Sequence, residues 1–401
     1  MMRFGSSKRN YGNIACIKKR ANAGCLEVKI MRYVTSAIIV LLAVVAFSMP
    51  ANATETETGW ALFANAVLIH QTASTAVVGN EASGSADFIV SHANADATGQ
   101  WLIHLEASTS TSSTDISAVY PEANADAGSA LDEHGNGRLQ LSELYYAYVL
   151  SDQHSISAGL LDVSGFFEQS RIASDETTQF LGASFTGNPT IAFPDYTLGA
   201  IYQHGLSSDL VLRAGLASSN GLADNDSRSY AQLFTVTGDD KGVFGILSLS
   251  WQAQGWLVRA GSWLSTANYT PFNETEDNLN NYGYYLLTGY KYGRHAVNVR
   301  LGYANPKVSL GKAFSSVSYL YQLGRYSVGI GAAQSVVSHQ ATEPAASNTP
   351  HYEAFIRYRL SPAWLATADV QHINNSNFTA SATDPARDAN LWGLRLTWLY
   401  N

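Results

Sequence analysis

Along most of this chain, apolar and polar residues alternate with the two-residue period that a half-buried β-strand imposes. The carboxyl-terminal run shows it fully. Trp392, Leu394, Leu396, Trp398 and Tyr400 share one face, and Gly393, Arg395, Thr397 and Asn401 share the other with Leu399. The same period recurs at Trp101, Ile103, Leu105, at Val297, Val299, Leu301, Tyr303, and at Tyr352, Ala354, Ile356, Tyr358. No stretch after the first fifty residues keeps a capped helical period long enough for a major helix.

The alternation predicts sixteen strand cores, at 61–71, 84–92, 99–108, 138–150, 154–162, 197–204, 209–217, 243–251, 255–264, 282–292, 295–304, 313–322, 325–335, 351–360, 363–372 and 390–400. Their connections are alternately long and short. The short ones include Ser151-Asp152-Gln153, Tyr292-Gly293-Arg294 and Leu323-Gly324, and the long ones include 109–137, 163–196 and 218–242. This rhythm predicts an all-β fold, a transmembrane antiparallel β-barrel of about sixteen strands with tight turns on one side and long loops on the other. A secreted sandwich with one wet face would concentrate its aromatic residues at strand middles. Here Tyr and Trp recur at strand boundaries, as at Trp251, Trp256, Tyr282, Tyr292, Tyr321, Tyr326 and Trp364, where an amphipathic ring meets lipid headgroups.

The amino terminus sets the expected compartment. The apolar run Ser36 to Phe47 follows Met31-Arg32-Tyr33 and precedes Pro50-Ala51-Asn52-Ala53, an A-x-A pattern. These features predict a signal peptide at 31–53, Met31 as the start, 1–30 as an upstream extension, and an exported barrel from 54 to 401. Without residues 1–53 the chain carries 16 Lys and Arg against 31 Asp and Glu, a net charge of −15. That balance argues against nucleic-acid binding. Both cysteines, Cys16 and Cys25, also lie in the excluded segment, so no disulfide scaffold is expected.

If the apolar faces meet lipid, the opposite faces line a lumen. Alternation places Arg213, Arg259, Trp263, Arg300, Arg357, Arg359 and Arg395 there, with Glu106, Glu143, Glu353, Asp369, Gln371, Asn298 and His104. Charges of both signs suit a hydrated channel and would be prohibitive against hydrocarbon. The longest connection, Val163 to Tyr196, is rich in aromatic and polar groups. A loop of that length in a compact protein is functional or disordered. We expect it to fold inward and narrow the lumen, with Phe167, Phe180 and Phe193 anchored on the wall and Glu168, Arg171, Asp175, Glu176, Gln179, Asn188 and Asp195 presented around the passage.

The segments Asp175-Glu176-Thr177-Thr178-Gln179-Phe180-Leu181, Asn188-Pro189-Thr190-Ile191 and Phe193-Pro194-Asp195-Tyr196 resemble the carbohydrate-selective porin family of the Gram-negative outer membrane. Arg138 to Tyr146, and the closing pattern Tyr352-Glu353-Ala354 through Asp369-Val370-Gln371 to Trp392-Gly393-Leu394-Arg395-Leu396, extend the resemblance over nearly the whole mature chain. It implies a sixteen-stranded channel that passes glucose and other small sugars by facilitated diffusion, with Arg and acidic side chains at the constriction. Barrels of this kind usually end in an aromatic residue, whereas here Asn401 follows Tyr400. A general or ion-preferring diffusion porin, using the same charges to sort solutes, is the alternative.

Other chemistry finds little support. Asp132 to Glu143 matches a calcium-binding EF-hand loop at its first, fifth, sixth and twelfth positions, but His134 holds the third and the flanks are loop and strand. We expect a turn leading into a strand whose Glu143 faces the lumen. No H-E-x-x-H, P-loop, G-x-G-x-x-G or G-x-S-x-G pattern occurs. The expected protein is therefore neither an enzyme nor the holder of a metal or cofactor. Acidic residues Asp224, Asp226, Asp239, Asp240, Glu274, Glu276 and Asp277 sit in long loops expected to face outside, near lipopolysaccharide. The remaining expected partners are small carbohydrates, outer-membrane lipid and, during biogenesis, the barrel-assembly machinery.

Overall fold

A computed structural model describes residues 59–400, apart from 76–77, 96–97, 239, 274–276, 342–345, 382 and 385–386. The expected leader and signal peptide, Asp239, Glu274, Glu276 and Asn401 lie outside the described residues.

Sixteen antiparallel strands close into one barrel, each paired with its sequence neighbours and β1 with β16. They run β1 Trp60–Ala73, β2 Glu81–Ala93, β3 Gly99–Ser108, β4 Leu139–Ser151, β5 His154–Leu161, β6 Thr197–Gly205, β7 Leu210–Ser218 and β8 Val243–Ala253. The second half comprises β9 Trp256–Tyr269, β10 Leu279–Tyr292, β11 His295–Ala304, β12 Gly311–Leu323, β13 Tyr326–Val337, β14 Thr349–Arg359, β15 Trp364–Ile373 and β16 Ala389–Tyr400. Every strand expected from the alternation is present, most with boundaries moved by one to three residues. Among the described residues no helix is long and apolar enough to cross a membrane.

The burial alternates as the sequence does. Along β16, Leu394 is 63% exposed while Arg395 beside it is 3% exposed. Leu68, Tyr284 and Ile330 continue the exposed apolar band. Each of the sixteen strand pairs satisfies its backbone groups in a neighbour, and closure leaves no edge, which is what a hydrocarbon surround requires. The tight turns use left-handed backbone at Gly293 and Gly324, with φ of 56° and 60°. A side chain is strained in that region, and glycine is not.

Two segments leave the wall and pack inside. The 162–196 connection contains short helices at Val163–Phe167 and Ala183–Thr186. Its Phe167 joins Ile201, Phe244, Ile246 and Tyr285 in one buried cluster, and its Phe180 and Phe185 join Phe314, Ala333 and Phe355 in another. The 109–138 connection, read from sequence only as a long loop, carries the turn Ile116–Val119 and sends Ile116 and Tyr120 into a third cluster with Ile373 and Leu391. The segments meet where Ala125 N donates to Leu181 O at 2.9 Å and Ala183 N donates to Glu122 O at 2.9 Å.

Candidate functional site

The inner face of the wall meets the 162–196 segment through charged side chains. Arg300 of β11 is fully buried. Its Nε donates to Glu168 Oε1 at 2.7 Å, Nη1 to Phe185 O at 2.7 Å, and Nη2 to Ala173 O at 2.5 Å and Ser174 Oγ at 2.6 Å. Such a planar fork with five donors suits a guanidinium and would be lost on a lysine. On β14, the Glu353 carboxylate accepts from Leu181 N and Gly182 N, both at 2.8 Å. Arg395 of β16 donates to Glu176 O and, at 2.6 Å, to Gln179 O, and Thr397 donates to Thr177 O at 2.7 Å. Arg357 donates to Thr178 O and to Ser327 Oγ. Tyr285 OH donates to Phe167 O at 3.0 Å.

These contacts give several sequence-derived lining residues a different setting from an open lumen surface. Arg300, Glu353 and Arg395 lie between wall and segment, where they bond to its backbone and, for Arg300, also to its Glu168 and Ser174 side chains. Glu168 is buried in an ion pair with Arg300 and is not presented to solvent. Burial holds its carboxyl above the ordinary range while the Arg300 charge opposes that rise. Trp263, 3% exposed, packs against Phe244 in the cluster around Phe167, so its ring face is not open to a solute. Asp175 caps its own turn, accepting from Thr177 N and Thr178 N. Gln179 folds back, its Oε1 accepting from Ser174 N and its Nε2 donating to Arg171 O. Asn188 donates to Leu301 O at 3.0 Å, and Phe193 lies against Phe244. Arg359 is exposed at the tight-turn end and donates to Pro362 O.

Other groups remain nearer solvent. On the segment, Gln169 and Arg171 are exposed and Glu176 is half-buried. On the wall, Arg213 is half-buried with its Nε on Gln203 Oε1, whereas Arg259 is buried, donating to Ser250 Oγ at 2.7 Å and to Gln169 O of the segment at 3.5 Å. Acids gather on the opposite part of the wall. His104 Nε2 lies 2.8 Å from Asp87 Oδ1 and its Nδ1 3.3 Å from Glu143 Oε2, while Glu106 accepts from Ser142 Oγ. Asp195 stands close, and burial followed by the nearby Asp224 charge pushes its carboxyl up to about 8. Asp369 lies by Gln371, which donates to it and, at 2.9 Å, to Ala123 O of the second inner segment. Between the two inner segments and the wall a cleft of about 240 Å3 is lined by Glu122, Ser184, Pro189, Thr190, Ser335 and Phe378, among others.

The stretch resembling a calcium loop takes a different form. Asp132 Oδ1 accepts from His134 N and Asn136 N, both at 2.8 Å, closing a compact turn. Glu143 lies on β4 and is engaged by His104 and by Asp162 N.

The OprB model of carbohydrate-selective porins matches residues 71–346. The chain belongs to the carbohydrate-selective porin family. As a porin with a closed barrel and an apolar outer face, it is a protein of the outer membrane. Its fold is similar to that of Pseudomonas putida OprB at high pH, with a TM-score of 0.69 at 10% identity over 86% of this chain and 95% of that one. A Salmonella typhi OmpF complex with daunomycin gives 0.56 at 11% identity over 86% and 99%. An uncharacterized protein of Aquifex aeolicus (strain VF5) is 32% identical over 114 residues, 28% of this porin. The match spans about a third of that relative's length, 35%.

Sequence reasoning missed the inward course of the second segment and the bonds by which Arg300, Glu353, Arg357 and Arg395 hold the first. The apolar spacing Ile116, Val119, Tyr120 followed by Pro121 was the available signal for the former.

Proposed function

We propose that this porin is a channel for facilitated diffusion of small carbohydrates across the outer membrane, with the 162–196 segment as its constriction. The observation that carries the reading is family membership combined with an inner wall that holds this segment by named charged anchors. Solute passes between the edge of the segment, at exposed Gln169 and Arg171 and half-buried Glu176, and the wall bearing Arg213. A neutral polyol entering a narrow pore gives up water hydrogen bonds, which charged side chains replace strongly. Half-buried Tyr145 and Phe166, in edge contact at 5.8 Å, offer ring faces to the flat side of a sugar. Binding must stay weak, because a solute that does not leave blocks the channel.

Export by a signal peptide at 31–53 and outward loops near lipopolysaccharide belong to the same reading. Amino-terminal sequencing of outer-membrane protein tests the first, with Thr54 as the expected start.

Liposome swelling with the porin extracted from outer membranes tests the function. Faster entry of glucose than of size-matched neutral and charged solutes, competed by longer sugars and weakened by Arg171→Ala with Arg213→Ala, is the expected result. Rates that follow only size or charge would make it a general diffusion porin, the reading that the same arginines and acids otherwise favour.

A further inference from the structure

Asp87 and Glu106 are register partners on β2 and β3, and His104 lies two residues before Glu106 on the same inward face. One ligand atom from each of Asp87, His104 and Glu106 lies within 4.8 Å of the others. Both His104 and Glu106 are buried, at 8% and 4% exposure. A β-bulge between His104 and Leu105 shifts the β3–β4 register and leaves His104 opposite Glu143. Bulges of this kind re-aim a side chain.

A further buried carboxylate of the inner segment lies nearby. Asp126 is 4% exposed, and its Oδ1 accepts from Ser85 Oγ at 2.5 Å, two residues from Asp87 on the same face. Its Oδ2 is buried with no hydrogen-bond partner among the described residues, in the field of Asp87 and Glu106. A buried carboxylate oxygen without a donor is costly, and the Asp87 and Glu106 charges add to that cost while the Arg395 charge opposes them.

We propose that Asp87, His104 and Glu106 form a binding site for one first-row transition-metal dication, with zinc as its representative and Asp126 as a nearby buried carboxylate outside the ligand set. An imidazole among carboxylates selects such an ion over calcium or magnesium, which take oxygen ligands. His104 Nε2 faces Asp87 and supplies the nitrogen ligand, while Nδ1–H donates to Glu143 Oε2. That is the carboxylate–histidine–metal arrangement, in which the outer carboxylate fixes the tautomer and strengthens the ligand. Ligand atoms around a tetrahedral zinc ion stand about 3.3 Å apart, given bonds near 2.0–2.1 Å. Entry of the ion therefore spreads the 2.8 Å His104–Asp87 pair slightly and draws Glu106 inward. The ion replaces the proton shared between His104 and Asp87.

The test uses full-length porin, purified in detergent and stripped with chelator. The His154–His204 pair, whose rings stack at 4.2 Å, is a competing zinc ligand and is removed by His154→Ala with His204→Ala in every sample. Zinc titration by calorimetry and the visible spectrum of bound Co2+ are the readouts, with folding checked by the heat-dependent gel shift of closed barrels. One zinc per chain and a tetrahedral cobalt spectrum are expected. His104→Gln should abolish both, and Glu143→Gln should weaken zinc about 10–100-fold while leaving one site. If His104→Gln does not fold, the titration of the His154→Ala, His204→Ala parent and that of Glu143→Gln still decide. Absence of zinc uptake, uptake indifferent to both substitutions, or equal competition by Ca2+ would overturn the assignment.

Discussion

Replacing Arg300 by alanine removes the most heavily bonded wall anchor of the 162–196 segment. The side chain is fully buried and donates to one carboxylate, three carbonyls and a hydroxyl. Removing one member of a buried ion pair costs about 3–5 kcal/mol, mostly from the partner left buried and uncompensated. Here the partner is Glu168, which escapes the penalty by lifting the segment off the wall. The barrel itself keeps its strand pairing, so the loss falls on docking. At about 1.4 kcal/mol per tenfold, it raises the undocked population by roughly two to three and a half decades. Arg171 on the same segment is a trypsin site whose neighbours Ser170 and Ile172 are buried, so cleavage there needs undocking and reports this population. Limited trypsinolysis of detergent-solubilised porin should cut after Arg171 at least 100-fold faster in Arg300→Ala than in wild type. Glu168→Gln, which leaves Arg300 buried and only partly answered, should move cleavage in the same direction. The double variant should fall short of the sum, because both changes break one interaction. Cleavage within threefold of wild type in Arg300→Ala would refute the reasoning and assign docking to Glu353, Arg357 and Arg395.

Three further outcomes follow from packing and charge. A Cβ at Gly331 would meet Phe185 at 2.6 Å and Phe180 at 3.1 Å, so Gly331→Val should weaken docking by about 1–3 kcal/mol and raise single-channel noise in planar bilayers. Leu394 faces lipid at 63% exposure, and Leu394→Arg should cost about 2–4 kcal/mol of barrel stability in urea titrations in liposomes, more if it lies at the bilayer midplane than near an interface. Asp195 has its folded pKa raised to about 8 by burial and by Asp224. Its protonated form is therefore the favoured one in the fold. Its contribution is whole below about pH 4 and is lost as pH rises toward 8. Asp195→Asn should flatten the fall in melting temperature between pH 5 and pH 9, and an unchanged slope would remove Asp195 as its source.

The strands were legible because lipid outside and water inside impose the same two-residue period on every one of them. The lumen side chains were legible as a face and not as a set of roles. Alternation turns Arg395 inward, but that it meets Glu176 and Gln179 is a contact across 219 and 216 residues, and nothing local encodes it. Trp263 was read as a lining ring for the same reason, since its cover, Phe193 and Phe244, comes from other elements. The inward course of the 109–138 connection depends on Gln71 and Gln371, which both donate to Ala123 O from opposite sides of the chain ends. The glycines at 331 and 393 are clearer in retrospect. Each leaves space for a neighbour, Phe185 or Asp369, which a sequence alone does not name.

The pairing of β1 with β16 also bears on the order in which the molecule is built. The tip of the inner segment spans that seam, with Thr177 and Gln179 held by β16 and Leu181 packed on Val67 and Ile69 of β1. Until the last strand finds the first, these docking partners are apart. Contacts between residues so distant in sequence form late, after loop-closure entropy has been overcome. The segment therefore reaches its final place only after the wall is closed, and then acts as a staple across the youngest joint of the barrel.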